Sequence, residues 1–231
     1  DRSDKKRGQT ALSFFSVVHS EKKDVADAGE KGVQLSQEQW DLIPCYQIHK
    51  MYILAPIKKG ILLIDQHAAH ERILYEQAIQ DLQVGRAESQ RLLFPIVIEL
   101  TGTEKSVIMS GRDHFNSLGF DLQDFGGQSV AISAIPAAGF LKDSTAEEAV
   151  REMIQFLLEE KDQSILSEPQ KRYAAAFACG AAIKTGQILK QEEMNSLLNR
   201  LFAAENPYIC PHGRPTLVRI SLDELSRRFL R

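Results

Sequence analysis

The chain of 231 residues is 43% hydrophobic and 26% charged, an ordinary globular mixture that fits one large domain or two small ones. Its net charge of -3 excludes a general electrostatic footprint for nucleic acid, so a DNA-directed role needs a local basic patch, a bound cation or a partner that holds the DNA. Three scattered cysteines exclude a disulfide framework and fit a reducing compartment; no apolar run is long enough to span a membrane as a helix, and nothing resembles a signal peptide.

The chain begins at Asp1 without a Met, which predicts a piece of a longer protein. Residues 1–36 are rich in Lys, Asp, Glu, Gly and Ser and lack sustained periodicity, as a flexible linker does. The apolar patch at 12–18 is a candidate docking peptide or an incidental feature of that tail. Order is expected from about Trp40.

Alternation over 47–55 predicts a strand, 56–60 a turn and 61–65 a second strand, a hairpin that feeds a helix at about 66–82. Residues 83–91 read as a polar loop. A strand follows from Phe94 to Leu100. Thr103 is the expected N-cap of a helix over 104–117, which Gly119 stops. Two strands hinge at Gly126-Gly127 between Phe120 and Ile135, and Thr145 is expected to cap a helix over 146–160. This order makes an α+β unit of about 92–165.

The last third is helical and rich in small residues. The stretch 173–183 is apolar almost all round, so that helix is buried or lies in a subunit interface. A helix over 191–203 ends at Asn206-Pro207. The loop Cys210-Pro211-His212-Gly213-Arg214-Pro215 leads to a strand over 216–220, and Ser221 caps a final short helix. The fold class is α+β.

The chemistry concentrates where the apolar strand 60–64 runs into Asp65-Gln66-His67-Ala68-Ala69-His70-Glu71-Arg72-Ile73-Leu74-Tyr75-Glu76. Positions i, i+3 and i+4 share a helix face, so His67, His70 and Glu71 can line one surface, with Asp65 at the strand end and Glu76 near the edge of the face. Any one of them fits a solvated helix capped by Asp65. Together, directly after a buried strand, they read as an N/O ligand set for a divalent metal. Cys210 and His212 form a second candidate ligand pair, and Cys179 in the apolar helix is a third soft donor or plain core.

Neighbouring templates fail. His67-x-x-His70-Glu71 is near the zinc-protease helices, but those require His-Glu-x-x-His or His-x-x-Glu-His. A Cys–His protease pair lacks the helix N-terminus and oriented His that activate a thiolate. Gly126-Gly127 is followed by no Lys-Ser/Thr, and the chain holds no other nucleotide-binding signature. Gln90-Arg91-Leu92-Leu93-Phe94 reads either as an extended peptide that inserts Leu93 and Phe94 into a partner's groove with Gln90 at its rim, or as the first turn of a buried strand.

These constellations together resemble the C-terminal domain of the MutL family of DNA mismatch-repair proteins. Asp65-Gln66-His67-Ala68-x-x-Glu71-x-x-x-x-Glu76 matches the family's endonuclease motif at every specified position, 178–184 resembles its second element, and 210–215 its third. The resemblance covers about 37–231. It implies a latent, metal-dependent endonuclease, a hydrolase of phosphodiester bonds that nicks DNA in mismatch repair; family members that lack nicking lack the Asp-Gln-His-Ala motif. It implies Asp65 and Glu71 in catalysis and His67, Glu71, Cys179, Cys210 and His212 as metal ligands, with Glu76 and Arg214 in support. Mn2+ or Mg2+ is the expected catalytic ion and Zn2+ a regulatory or structural one.

The same resemblance implies two subdomains: a discontinuous dimerisation/endonuclease subdomain of 37–91 and 166–231, and an inserted regulatory subdomain of 92–165. The helix at 172–186 and the first hairpin are the expected parts of the dimerisation subdomain. The implied partners are a second copy of the chain, double-stranded DNA, a MutS-type mismatch-recognition protein, an N-terminal ATPase domain of the same chain, and the replication sliding clamp, through Gln90, Leu93 and Phe94. A cytoplasmic, nucleoid-associated bacterial protein without a membrane partner is expected. The rival is a non-catalytic dimerisation and docking module with a structural zinc site, and beyond it a metallohydrolase of another substrate.

Overall fold

A computed structural model of the chain describes residues 43–85, 87–137, 143–159 and 168–231. The expected linker 1–36, the patch at 12–18, Trp40 and the boundary at 165/166 lie outside the described residues.

Strands β1 (Tyr46–Ile48) and β2 (Tyr52–Ile57) form an antiparallel hairpin where the alternation predicts a single strand over 47–55. The chain turns at His49 and Lys50, both at φ +53°, and the Met51 N–H donates to the Ile48 carbonyl at 3.1 Å. Positive φ at both central residues marks the mirror-image turn whose twist suits a hairpin. No Gly or Asn announces it. Its support comes from elsewhere in the chain: the Lys50 carbonyl accepts from Gln66 Nε2 at 2.8 Å and from the Gly186 N–H at 3.0 Å.

Strand β3 (Gly60–Asp65) pairs antiparallel with β2 on one side and with β7 (Leu217–Ser221) on the other, giving a sheet of order β1-β2-β3-β7. Ile53, Ala55, Leu62 and Ile64 are buried on its inner face. The alternate positions Tyr46, Leu54, Leu63 and Val218 are cross-strand neighbours in register and form one apolar row across the outer face. Gly60 sits at φ +149°, and a Cβ there would lie 2.1 Å from the Ile220 carbonyl oxygen, so glycine lets β3 and β7 close on each other.

Helix α1 (Gln66–Val84) leaves β3 without a loop and ends at Gly85 in the left-handed region. The second sheet, of order β4-β6-β5, holds β4 (Ser89–Glu99), β5 (Asp121–Gly126) and β6 (Ser129–Pro136). Strand β4 thus begins inside the stretch expected to be loop. Between β4 and β5, two helices, α2 (Gly102–Ser110) and α3 (Arg112–Ser117), replace the single helix expected over 104–117. The cap is Thr101, not Thr103: its hydroxyl accepts from the Glu104 N–H while Glu104 returns to the Thr101 N–H.

Helices α4 (Asp143–Leu158), α5 (Pro169–Ala181), α6 (Gln191–Ala203) and α7 (Leu222–Arg228) complete the described chain. Thr145 lies inside α4 rather than at its cap, whereas Ser221 caps α7 as expected, accepting from the Glu224 N–H. The apolar helix α5 is buried within the chain between α1 and α4. Gly180 permits the close approach, since a Cβ there would lie 2.6 Å from the Ala149 carbonyl oxygen. Leu74 and Ala78 of α1 and Ala176 and Phe177 of α5 share one apolar core with Phe115, Phe120 and Ile132 around the second sheet. Among the described residues no helix is long and apolar enough to cross a membrane.

Candidate metal centre

The site begins with the cap of α1. Asp65 Oδ1 accepts from the backbone N–H of His67 at 2.9 Å and of Ala68 at 3.0 Å, which starts the helix at Gln66. Gln66 is fully buried and locks that start in place: its side chain donates to the Lys50 carbonyl and accepts from Gln47 Nε2 at 2.7 Å.

With the phase of α1 fixed, His67, His70 and Glu71 fall on one face, and the peptide of Ile183, just beyond α5, meets both imidazoles. Its carbonyl accepts from His67 Nδ1 at 2.9 Å, and its N–H donates to His70 Nδ1 at 2.9 Å. In its neutral form His67 therefore keeps the lone pair on Nε2, toward Glu71, while His70 spends its own on the backbone. Burial holds the His70 imidazole down to about 3. The i, i+3 spacing of two histidines on one helix was the sequence signal that both face the same segment; which one stays available was set by Ile183.

Glu71 is fully buried. Its Oε2 accepts from Arg214 at 2.8 Å and lies 3.4 Å from His212 Nδ1. His67 Nε2 lies 3.2 Å from Oε1, yet no donor is aimed at that oxygen. Burial alone would raise this carboxyl, but hydrogen bonding with His212 and the proximity of the His67 imidazole outweigh it and hold Glu71 far below the ordinary carboxylate range. Hydrogen bonds to Cys210 and Glu71 push His212 up to about 9. The Cys210 thiol is opposed by burial, but His212 and the backbone of the loop bring it below its usual value.

The loop that supplies Cys210, His212 and Arg214 is closed on itself, with the Cys210 N–H donating to the Arg214 carbonyl at 2.8 Å and the Gly213 N–H to the Cys210 carbonyl at 2.9 Å. It reaches α1 because β7 pairs beside β3, and because Arg72 Nε donates to the Ile209 carbonyl at 2.6 Å. Donor atoms of Glu71, Cys210 and His212 all lie within 4.8 Å of one another. Carboxylate, thiolate and imidazole in one cluster make a mixed O/S/N set of the kind zinc accepts, and His67 Nε2 extends it on the Oε1 side. A buried carboxylate oxygen with no donor, facing an imidazole lone pair, is what a cation would satisfy, so the residues fit a metal.

The other candidates sit around this cluster. Cys179 lies outside the converging set; burial raises its thiol first, and the charge of Glu71 raises it further. Glu76 accepts from the N–H groups of Glu205 at 2.8 Å and Asn206 at 3.2 Å, tying α1 to the segment after α6. Two neighbours from α4, Glu152 and Phe156, carried no sequence signal. Lys184 pairs with Glu152 of α4, and the Phe156 ring of α4 meets the His212 imidazole edge-on at 5.7 Å, so the helix after the second sheet flanks the loop.

Gln90, Leu93 and Phe94 belong to β4, an edge strand of the second sheet. Its pairing with β6 slips between Arg91 and Ile96, and within that break Leu93 and Phe94 are 85% and 79% exposed. The stretch is therefore not the buried strand start that its residues also allowed.

Residues 45–189 match the family described as the MutL C terminal dimerisation domain, a match that ends before the Cys210 loop. The chain is 43% identical over 187 residues to the DNA mismatch repair protein MutL of Prosthecochloris aestuarii, covering 80% of this chain and 29% of that protein. It is 39% identical over 206 residues to the protein of the same description from Chlorobaculum tepidum, covering 89% and 32%, and 42% identical over 186 residues to that of Gemmatimonas aurantiaca, covering 80% and 30%. The chain thus spans just under a third of the length of these curated relatives.

Proposed function

This chain belongs to the MutL C-terminal dimerisation domain family, and from that premise we propose that it is the latent, metal-dependent endonuclease part of a DNA mismatch-repair protein. The observation that carries the reading is Glu71: a fully buried carboxylate with one oxygen lacking a donor, set among Cys210, His212 and His67. His67, Glu71, Cys210 and His212 would hold the cation, with Cys179 as a further soft ligand at the margin. A bound divalent ion supplies Lewis acidity toward a phosphoryl oxygen and makes water a better nucleophile. Zn2+ suits the soft donors, and Mn2+ or Mg2+ suits the carboxylates of Glu71 and Asp65. Asp65 keeps one carboxylate oxygen beyond the one that caps α1, and we assign it the handling of the attacking water's proton.

The test is nicking of supercoiled plasmid by the full-length protein with Mn2+. The expected result is conversion to open circles that stops on chelation and returns on adding Mn2+; nicking indifferent to chelation overturns the reading. The acidic balance of the chain supports weak, sequence-independent binding of double-stranded DNA by this domain alone, with a MutS-type protein and the N-terminal ATPase part bringing the substrate. It supports a cytoplasmic, nucleoid-associated protein only through that role.

We assign 37–91 and 166–231 to the dimerisation/endonuclease subdomain and 92–165 to a regulatory insert. The outer row Tyr46, Leu54, Leu63 and Val218 is the apolar face offered to a second copy. A monomer in sedimentation at tens of micromolar would sink that assignment.

Gln90, Leu93 and Phe94, exposed on a broken edge strand, fit a peptide that docks on the sliding clamp. Replacing Gln90 and Phe94 together with Ala is expected to weaken clamp binding at least tenfold without lowering Tm, because neither side chain is part of the core. Undiminished affinity in a surface-binding assay rejects the clamp assignment.

A further inference from the structure

Resting on the reading of Glu71, Cys210 and His212 as a metal site, we propose that Arg214 is an exchangeable counter-ion: it stands in the metal's place in the metal-free protein and leaves when the cation binds. The ion pair with Glu71 is not a neutral bystander to the site, because it uses the same oxygen that His212 approaches. Arg214 donates to Glu71 Oε2 at 2.8 Å, and His212 Nδ1 lies 3.4 Å from that atom. Cys210, in the same closed loop as Arg214, belongs to the donor set with Glu71 and His212. Arg214 therefore engages the carboxylate at the centre of the converging donor set.

A divalent cation among those donors would draw on the lone pairs that Arg214 now uses, and would repel the guanidinium beside it. A metal-free protein, for its part, cannot leave the buried Glu71 carboxylate without compensation. Both demands are met if one charge replaces the other. The geometry allows the exchange. The Arg214 side chain is 57% exposed, so it can swing into solvent, while its backbone is held by the Cys210 N–H and the loop need not move. His67 differs: its ring is fixed on the Ile183 carbonyl and cannot vacate the site so readily. Arg214 then sets a threshold for loading, because part of the metal's binding energy goes to expelling it. Once expelled, the guanidinium is a free fork at the rim of the site, of the shape that phosphate takes.

The experiment is a metal titration of the metal-stripped parent and its Arg214→Gln variant, with Zn2+ and separately Mn2+, against a chromophoric chelator, with Tm recorded in both states. The variant should bind metal roughly tenfold tighter or more, be less stable than the parent without metal, and close that gap at saturating metal. Equal or weaker affinity in the variant overturns the exchange and leaves Arg214 a supporter of a bound metal or a structural ion pair. If neither protein takes up metal, the metal-site reading itself fails, and Arg214 loses this role with it. Should Arg214→Gln not fold, Arg214→Met, which removes the charge but keeps much of the side chain's length, must bind metal tighter than the parent, and a failure to do so counts against the proposal equally.

Discussion

Glu71→Gln is expected to abolish metal uptake and to reduce the proposed Mn2+-dependent plasmid nicking to background while the domain stays folded. Gln keeps the shape and one acceptor for Arg214, but it removes the charge and the carboxylate oxygen that faces His67 Nε2 without a donor. Loss of an outer-shell partner commonly costs a metal site about 10–100-fold in affinity; loss of the charged ligand at the centre of the set should exceed that. The metal-free variant should lose some stability, about 1–3 kcal/mol, because Arg214 and the two imidazoles lose their common counter-ion. That loss is limited by their partial exposure, with the Arg214 side chain at 57% and the two histidine side chains near a quarter. Equilibrium binding of Zn2+ and Mn2+ measures the first effect and thermal unfolding the second. A Glu71→Gln protein with parental metal affinity removes this carboxylate from the site.

Asp65→Asn separates chemistry from architecture. Asn caps a helix about as well as Asp, so the bonds to the His67 and Ala68 N–H groups survive and Tm should shift by no more than a degree or two. Metal uptake by Glu71, Cys210 and His212 should persist as well, since Asp65 is not among the converging donors. Nicking should nevertheless fall by about 10²–10³-fold, the scale of several kcal/mol of transition-state stabilisation. Nicking at the parental rate returns Asp65 to the role of a cap alone and removes its catalytic assignment. Asp65→Ala is the companion: it should lose nicking and, in addition, about 1 kcal/mol of stability with the cap.

The residues of α1 were readable because helical spacing alone puts His67, His70 and Glu71 on one face, and because capping and breaking signals such as Ser221 and Asn206-Pro207 act locally. The hairpin turn at His49-Lys50 was not readable, since its conformation is supported by Gln66 and Gly186, which local patterning cannot foresee. The displaced cap was readable in principle: Thr101 and Glu104 have capping-box spacing, and Thr103 merely stands closer to the apolar run. For the site, Cys210 and His212 were recognisable as ligand types, but their meeting with Glu71 depends on β7 choosing the open edge of β3, a pairing without a local signal. The different employments of His67 and His70, and the place of Arg214 on Glu71 rather than in solvent, follow from contacts made across the fold.

That late pairing has a consequence for the order of translation. The ribosome delivers β2, β3 and α1 early, with His67 and Glu71 in them, and residue 214 is the 143rd to emerge after residue 71. At elongation rates of about 5–20 residues per second the two halves are roughly 7–30 s apart. During that interval one edge of β3 has no neighbour, and Glu71 has neither Arg214 nor Cys210 beside it. A nascent chain of this design holds no complete donor cluster, and the loop that completes the cluster arrives with the strand that seals the sheet.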